Sequence, residues 1–375
     1  MQSDATYMAR ALALAARGTG WTSPNPMVGC VIVNRDILLG EGWHQRAGGP
    51  HAEVNAYASC GAAETLGATV YVTLEPCAHE GRTPPCVELL LRRRPARVVV
   101  AMRDPNPHVT GGGIERLRAS GIRVEVGVLE AEARRLNEVF IKHVTTGLPW
   151  VTAKCAMTLD GKIATRTGHS KWVTGEAARL MAHRMRHAHD AILVGSRTVM
   201  LDDPSLTTRL PGETGRHPVR IILDAGKYLS GERTVFAADR QGPTWVATSE
   251  NNDYSFADET LFLPSGPGGV DLQALIRELG ARGITSLLIE GGGATLAAAF
   301  EAGIVDKACF FCAPKIIGGD EAITPVQGRG GETMDAAILL GDFHATPVGD
   351  DVLLEAYVCK TKNAETADES CSRES

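Results

Sequence analysis

The stretch VTLEPCAHEGRTPPC, residues 72–86, leaves a Val/Thr-rich run through a Pro-Cys step and meets a second cysteine just after Pro84-Pro85. β-Branched residues favour a strand, and proline favours the entry to a helix, so Cys77 follows a strand and Cys86 opens a helix. Upstream, Pro50-His51-Ala52-Glu53 opens another helix. One imidazole and two thiolates supply three ligands to a tetrahedral Zn²⁺ and leave its fourth position open, the arrangement of a catalytic site. Two thiolates also balance the charge of a divalent ion. Glu53, two residues beyond His51, lies close to such an ion without being needed as a ligand. It is the natural proton carrier.

A His-x-Glu followed by Pro-Cys and a second Cys is the pattern of zinc deaminases, in which activated water displaces an amine. Nucleic-acid and nucleoside deaminases place two residues between the cysteines, whereas eight separate Cys77 from Cys86. A tRNA or nucleoside deaminase with an appended domain is therefore the weaker alternative. A structural zinc or a pair of buried cysteines also fits the bare residues, with His44 or His79 as a fourth ligand. A metal-stabilised scaffold without turnover is the third reading, and Glu53 argues against it.

Working outward from the motif, residues 4–17 have helical periodicity, and strands 28–33 and 37–42 flank a turn at Asn34-Arg35-Asp36. Helix 51–59, strand 68–74, helix 86–94, strand 97–102, helix 112–120, strand 123–128 and helix 130–140 follow. One hairpin and then alternating helix and strand predict an α/β unit with a largely parallel sheet covered on both faces. Residues 145–149, Thr-Thr-Gly-Leu-Pro, form the expected hinge. The domains expected are 1–147 and 148–360, with a polar, disordered tail at 361–375.

A chain of 375 residues exceeds what one core usually holds. Hydrophobic residues make up 44% and charged residues 22%, an ordinary globular balance. Residues 1–147 carry 16 Lys/Arg against 14 Asp/Glu, and the remainder 22 against 30, so neither half has the basic excess of a nucleic-acid binder. No membrane-length apolar run is present, and nine cysteines without a disulfide rhythm suit a reducing cytoplasm.

The second half predicts another α/β unit, with strands at 150–157, 191–194, 219–223, 244–248, 286–289 and 307–313. Leu287–Thr295 is a strand running into three glycines and then a helix, a junction that can face a phosphate or form a plain tight turn. Leu159–Lys162 reads as a turn after a strand. Cys309-Phe310-Phe311-Cys312 reads as core packing, and His183, His187 and His189 as a solvated helix face.

SPNPMVG (23–29), GPHAE (49–53), VTLEPCAHEGRTPPC (72–86) and MRDPNP (102–107) resemble the bifunctional riboflavin-biosynthesis deaminase–reductases. So do KCAMTLDGKIA (154–164), SKWVT (170–174) and LDDPSLTTR (201–209), with Thr158 where that family usually has Ser. The resemblance covers the chain to about residue 360. It implies a cytidine-deaminase-like α/β/α domain followed by a dihydrofolate-reductase-like domain, one Zn²⁺ per chain and NADPH. The implied zinc ligands are His51, Cys77 and Cys86, with Glu53 catalytic and Asn25, His79 and Arg82 contacting a phosphoribosylated pyrimidine. In the reductase half, Ala156, Trp172, Thr198, Asp202 and Gly292, Gly293, Ala294, Thr295, Leu296, Ala297 and Ala298 would line the cofactor. Ser170, Arg186, Leu206, Arg209 and Glu290 would hold the substrate; planar, charge-assisted arginines suit a phosphate. Lys154 and Asp202 are the candidates for polar assistance to hydride transfer, though Lys154 also reads as a surface strand residue. A homo-oligomer formed through the reductase domain is implied as well, with no nucleic-acid or membrane partner.

Overall fold

The computed structural model describes residues 3–61, 63–79, 84–107, 112–226, 229–267 and 269–359. The chain divides into two compact units, Met1–Gly147 and Leu148–Ser375. The tail expected to be disordered, 361–375, lies outside the described residues.

In the first unit α1 (Asp4–Ala16) begins at Ser3, whose hydroxyl accepts the Thr6 N–H and caps the helix. There follow β1 (Gly29–Asn34), β2 (Ile37–Trp43), α2 (Ala52–Ser59), β3 (Thr69–Leu74), α3 (Cys86–Arg93), β4 (Arg97–Met102), α4 (Gly113–Ala119), β5 (Arg123–Val126), α5 (Glu130–Leu136) and α6 (Glu138–Thr146). Arg35 and Asp36 adopt φ of 49° and 64°, the two left-handed positions of a tight hairpin turn. The sheet order is β2-β1-β3-β4-β5. Strands β1 and β2 are antiparallel, β1 and β3 antiparallel, and β3, β4 and β5 parallel.

Alternation along the strands feeds both faces. Val98 and Val100 pack with Ala56, Leu90 and Ile114, while Val99 and Ala101 pack with Met8, Ala11 and Ala133. Helix α2 lies so close to β2 that a methyl group at Gly42 would fall 2.4 Å from the Ala56 nitrogen. Glycine there sets the depth of the helix that carries Glu53. The helix expected over 130–140 is broken at Asn137, with φ −106° and ψ 21°, because its side-chain amide is engaged with the main chain of Met27.

The second unit runs β6 (Trp150–Thr158), α7 (Glu176–Ala188), β7 (Ala191–Gly195), α8 (Ser196–Asp202), β8 (Val219–Leu223), β9 (Thr244–Thr248), β10 (Glu259–Phe262), β11 (Ser265–Gly266), β12 (Gly269–Val270), α9 (Leu272–Ala281), β13 (Ser286–Ile289), α10 (Gly293–Glu301), β14 (Lys307–Ala313), β15 (Leu340–Val348) and β16 (Asp351–Val358). Its nine-stranded sheet has the order β10-β9-β8-β7-β13-β6-β14-β16-β15. Strands from β10 through β14 run parallel, and β16 and β15 are antiparallel additions. Strand β13 sits between β6 and β7, so the segments following all three strands gather at one end of the sheet, where α/β proteins build their sites.

Cys309 and Cys312 lie three apart on β14 and project to opposite faces, which removes a chelating pair and leaves Cys309 in the core. The solvated reading of the α7 histidines is corrected. His183 Nδ1 lies 3.2 Å from Thr207 O, His187 Nδ1 accepts the Arg216 N–H, and His189 bonds Met185 O and Thr152 Oγ1. His183 and His187 face the loop at 205–217, and His189, just past the helix end, faces β6.

Candidate functional site

His51 precedes α2 with extended backbone (φ −71°, ψ 165°), which turns its ring back toward the start of α3. Its Nδ1 stands 3.2 Å from Cys86 Sγ and 3.5 Å from Cys77 Sγ. All three donor atoms lie within 4.8 Å of one another. The Cys86 N–H, the first of α3, donates to Cys77 Sγ at 3.3 Å, so the helix start stabilises a thiolate on Cys77. The Cys86 thiol, then His51 and that N–H, hold the Cys77 pKa well below the ordinary thiol range against the burial that would raise it, while Cys86 is pushed up as the partner retaining the proton. One nitrogen and two sulfurs converging within bonding range of a common centre fit a zinc ion.

Glu53 is 3% exposed. Burial, reinforced by the charge on Cys77, raises its carboxyl pKa, against the lowering effect of its own N–H and His51. A raised carboxyl is suited to taking and returning a proton near neutral pH. Glu53, His51 and Cys77 face a pocket of about 230 Å³ that also includes Asn25, His44, His79, Glu75, Asp104 and Phe140. Of the expected substrate residues, Asn25 and His79 line this pocket, and Arg82 lies outside the described residues.

His44 is not a fourth ligand. Its Nδ1 pairs with Pro50 O at 3.0 Å and its Nε2 with Asn25 Nδ2 at 3.0 Å. Since the carbonyl can only accept, Nδ1 carries the proton and Nε2 accepts from the Asn25 amide. Burial lowers the His44 pKa and keeps the ring neutral. The amide of Asn25 is thereby oriented, with its NH₂ group toward His44.

Glu75 and Asp104 follow the adjacent parallel strands β3 and β4. Glu75 accepts the N–H groups of Asp104 and Ile114, each at 3.3 Å, tying the two loops together. Asp104 and Asn106, within the MRDPNP stretch, join the pocket through their position just after β4, the one signal of them that the sequence carries.

In the second unit a separate polar cluster forms. Arg186 on α7 grips Glu290 with two bonds, Nε to Oε1 at 2.6 Å and Nη2 to Oε2 at 2.9 Å. Lys154 Nζ on β6 stands 3.8 Å from Glu290 Oε2, with little exposure, so it is no surface residue. Burial would raise the Glu290 pKa, but Arg186 and Lys154 outweigh it and hold the carboxyl at about 2. Arg186 Nη1 also donates to Thr207 O, and Arg209 Nη1 donates to Ser205 Oγ and Thr207 Oγ1. The structure therefore brings Lys154, Arg186, Arg209 and Glu290 together.

The expected cofactor residues fall into two groups. Thr198 abuts Gly292, where a Cβ would stand 3.2 Å from its hydroxyl, and Gly293 meets Thr324 O so closely that a Cβ would lie at 2.5 Å. This cradle at the start of α10 fits a phosphate-bearing cofactor, with Ala294 exposed at its lip. Ala156 lies on the same face of β6 as Lys154. Trp172, 65% exposed, has the Arg179 guanidinium over its ring, and Asp202 faces the charge of neighbouring Lys171. Ser170 adjoins that segment.

Three of the expected residues turn their side chains inward. Leu206 takes φ 52° and buries its side chain among Ile192, Val199, Ile222 and Phe236, so only its main chain can face a ligand. Leu296 and Ala297 are 2% and 4% exposed and turn into the core, as residues on the inner face of a helix must.

A His/Cys/Cys triad beside a buried glutamate, on a mixed sheet joined to a second α/β unit, defines a zinc-dependent deaminase with an appended α/β enzyme unit. The family models agree: residues 1–102 match the cytidine and deoxycytidylate deaminase zinc-binding region, and residues 149–354 match the RibD C-terminal domain. The riboflavin biosynthesis protein RibD of Actinobacillus pleuropneumoniae is 42% identical over 362 residues, covering 95% of this chain and 96% of the relative. That of Aquifex aeolicus is 44% identical, covering 86% and 92%. The crystal structure of a Thermotoga maritima diaminohydroxyphosphoribosylaminopyrimidine deaminase/5-amino-6-(5-phosphoribosylamino)uracil reductase superposes with TM-score 0.83 at 37% identity, covering 95% of this chain and 98% of the other. The chain belongs to the RibD family of riboflavin biosynthesis.

Proposed function

We infer that the first unit hydrolytically deaminates diaminohydroxyphosphoribosylaminopyrimidine and that the second reduces the resulting aminouracil with NADPH, turning the ribosyl arm into a ribityl arm. The observation that carries this reading is the His51/Cys77/Cys86 triad beside buried Glu53 in a chain matched along its length to such deaminase/reductases. In this reading His51, Cys77 and Cys86 hold one Zn²⁺. The bound ion supplies the Lewis acidity that makes water nucleophilic at neutral pH.

Glu53 takes the proton released by the attacking water and delivers it to the departing amine; water and the aminopyrimidine give the carbonyl and ammonia. Asn25, oriented by His44, meets the pyrimidine edge, and His79 and Arg82 take the ribose phosphate. In the second unit Ala156, Trp172, Thr198, Asp202 and the exposed part of the Gly292–Ala298 turn accommodate NADPH, which supplies the hydride for C1′ of the sugar. Ser170, the Leu206 main chain, Arg209, Arg186 and Glu290 hold the substrate, and Lys154 lies where a proton is needed. The domain limits 1–147 and 148–360 follow this division of labour.

Purified full chain given that substrate should release one ammonia and consume one NADPH per turnover, with one zinc bound. Ammonia release without NADPH oxidation, or neither with zinc bound, would overturn the reading.

Self-association through the second unit completes it. Edge strand β15 leaves Leu340 and Phe343 exposed, beside exposed Ile338 and Leu339, an apolar rim that a second copy would cover. Sedimentation should then show at least two chains per particle, whereas a monomer at micromolar concentration would refute this. Cytoplasmic residence fits the zinc thiolates and the buried reduced cysteines Cys30 and Cys155. Among the described residues no helix is long and apolar enough to cross a membrane.

A further inference from the structure

Asn137 interrupts the α5–α6 run, is 1% exposed, and belongs to no expected site. Its Oδ1 accepts the Met27 N–H at 2.8 Å and its Nδ2 donates to Met27 O at 3.0 Å. The side-chain amide thus pairs with both main-chain polar groups of one residue, as a neighbouring strand would. The backbone N–H of Asn137 caps α5 through Ala133 O and Arg134 O, and its carbonyl accepts from Ile141 in α6. The bonds to Met27 and from Ile141 tie segments that reach the deaminase pocket. Met27 lies between Asn25, Pro26 and Val28, and α6 contributes Phe140; all four are pocket residues.

Met27 is also touched by Thr19, whose hydroxyl donates to its Sδ at 3.4 Å, and Val28 packs against the core beside it. Asn25 N–H donates to Thr22 O and its side chain pairs with His44, while Val28 O accepts the His44 N–H. Met27 is the joint between those anchors and the helical wall opposite.

We propose that Asn137 is a positioning residue of the deaminase pocket: its amide clamps the Met27 main chain to the α5–α6 junction, so that Asn25 and Phe140 meet the pyrimidine ring in fixed register. The proposal rests on the reading above that Asn25 contacts the substrate. Asn137 touches neither substrate nor metal and acts through the loop.

The test is a double-mutant cycle on the full-length, zinc-loaded chain, with Asn25→Ala and Asn137→Ala alone and combined. Zinc content and the reductase step on pre-deaminated substrate report folding. Losing one buried, fully paired amide should raise the deaminase KM about tenfold or more while kcat moves much less. In the Asn25→Ala background the same change should cost several-fold less, because one of the two groups it positions has gone. Equal, multiplying losses in the two backgrounds, or an unchanged KM in Asn137→Ala, overturn the proposal. An unchanged KM in Asn25→Ala alone instead overturns the reading of Asn25 itself. Should Asn137→Ala fail to hold zinc, Asn137→Ser, which keeps a short polar group, replaces it in the cycle. Loss of zinc from both variants would make Asn137 a folding residue and end the proposal.

Discussion

Glu53→Gln retains zinc, retains NADPH oxidation on pre-deaminated substrate, and loses ammonia release by roughly 10²- to 10⁴-fold, the usual worth of a general acid–base group. The amide keeps the size and polarity of the buried side chain but has no titratable proton. Glu53 is not needed to complete the ligand set of His51, Cys77 and Cys86, so metal content stays at one ion per chain. The measurement pairs zinc analysis with separate ammonia and NADPH assays. Residual deamination within threefold of the parent would show that another group carries the proton. Loss of the reductase step as well would show that the two chemistries do not occupy two sites.

Arg186→Met strands Glu290, which is buried and held at about pKa 2 against the burial that would raise it, chiefly by Arg186 and then Lys154. Removing one partner of a buried ion pair costs about 3–5 kcal/mol, mostly for the charge left behind. The second unit should therefore melt well below its parent and lose reductase activity, while the zinc site, built from the first unit, keeps working. Adding Glu290→Gln should recover part of the stability without recovering activity. A single variant that melts with the parent would show that Lys154 alone suffices. The same pair gives a pH signature. The Glu290 pKa is depressed on folding from an ordinary 4.5 to about 2, so its stabilisation is complete above pH 4.5 and is lost as pH falls toward 2. Glu290→Gln should flatten the acid limb of the unfolding curve over that window.

The zinc site was legible in the sequence because each of its residues sits at the edge of an element with a strong local signal. His51 and Glu53 open a helix, Cys77 follows a β-branched strand, and Cys86 follows two prolines. Strand Arg97–Met102 was equally plain, with five apolar residues after its arginine, and Val219–Leu223 nearly so, with Arg220 alone interrupting it. Strand β15 was invisible for the opposite reason. Nearly every residue of it is exposed, so no alternation between core and solvent marks it. That the side chains of Leu206 and Leu296 turn into the core was not legible, because a motif records which residues lie near a site, not which way each side chain turns. Asp104 and Asn106 join the pocket only because β3 and β4 become neighbours. Asn137 required knowledge of a contact with Met27, far away in the chain.

The place of β13 between β6 and β7 has a consequence for how the protein is made. As the chain leaves the ribosome, the first unit has all of its sheet in hand once residue 126 has emerged. The second unit has no such freedom. Its two early central strands lack the partner that joins them until residues 286–289 are synthesised, long after β6 and β7. Closing a sheet with so late a middle strand carries a large loop-entropy barrier and leaves apolar edges open meanwhile. At about 5–20 residues per second, the interval from β7 to β13 lasts several seconds, during which the deaminase unit can already be folded while the reductase unit is the part most exposed to aggregation and chaperone capture.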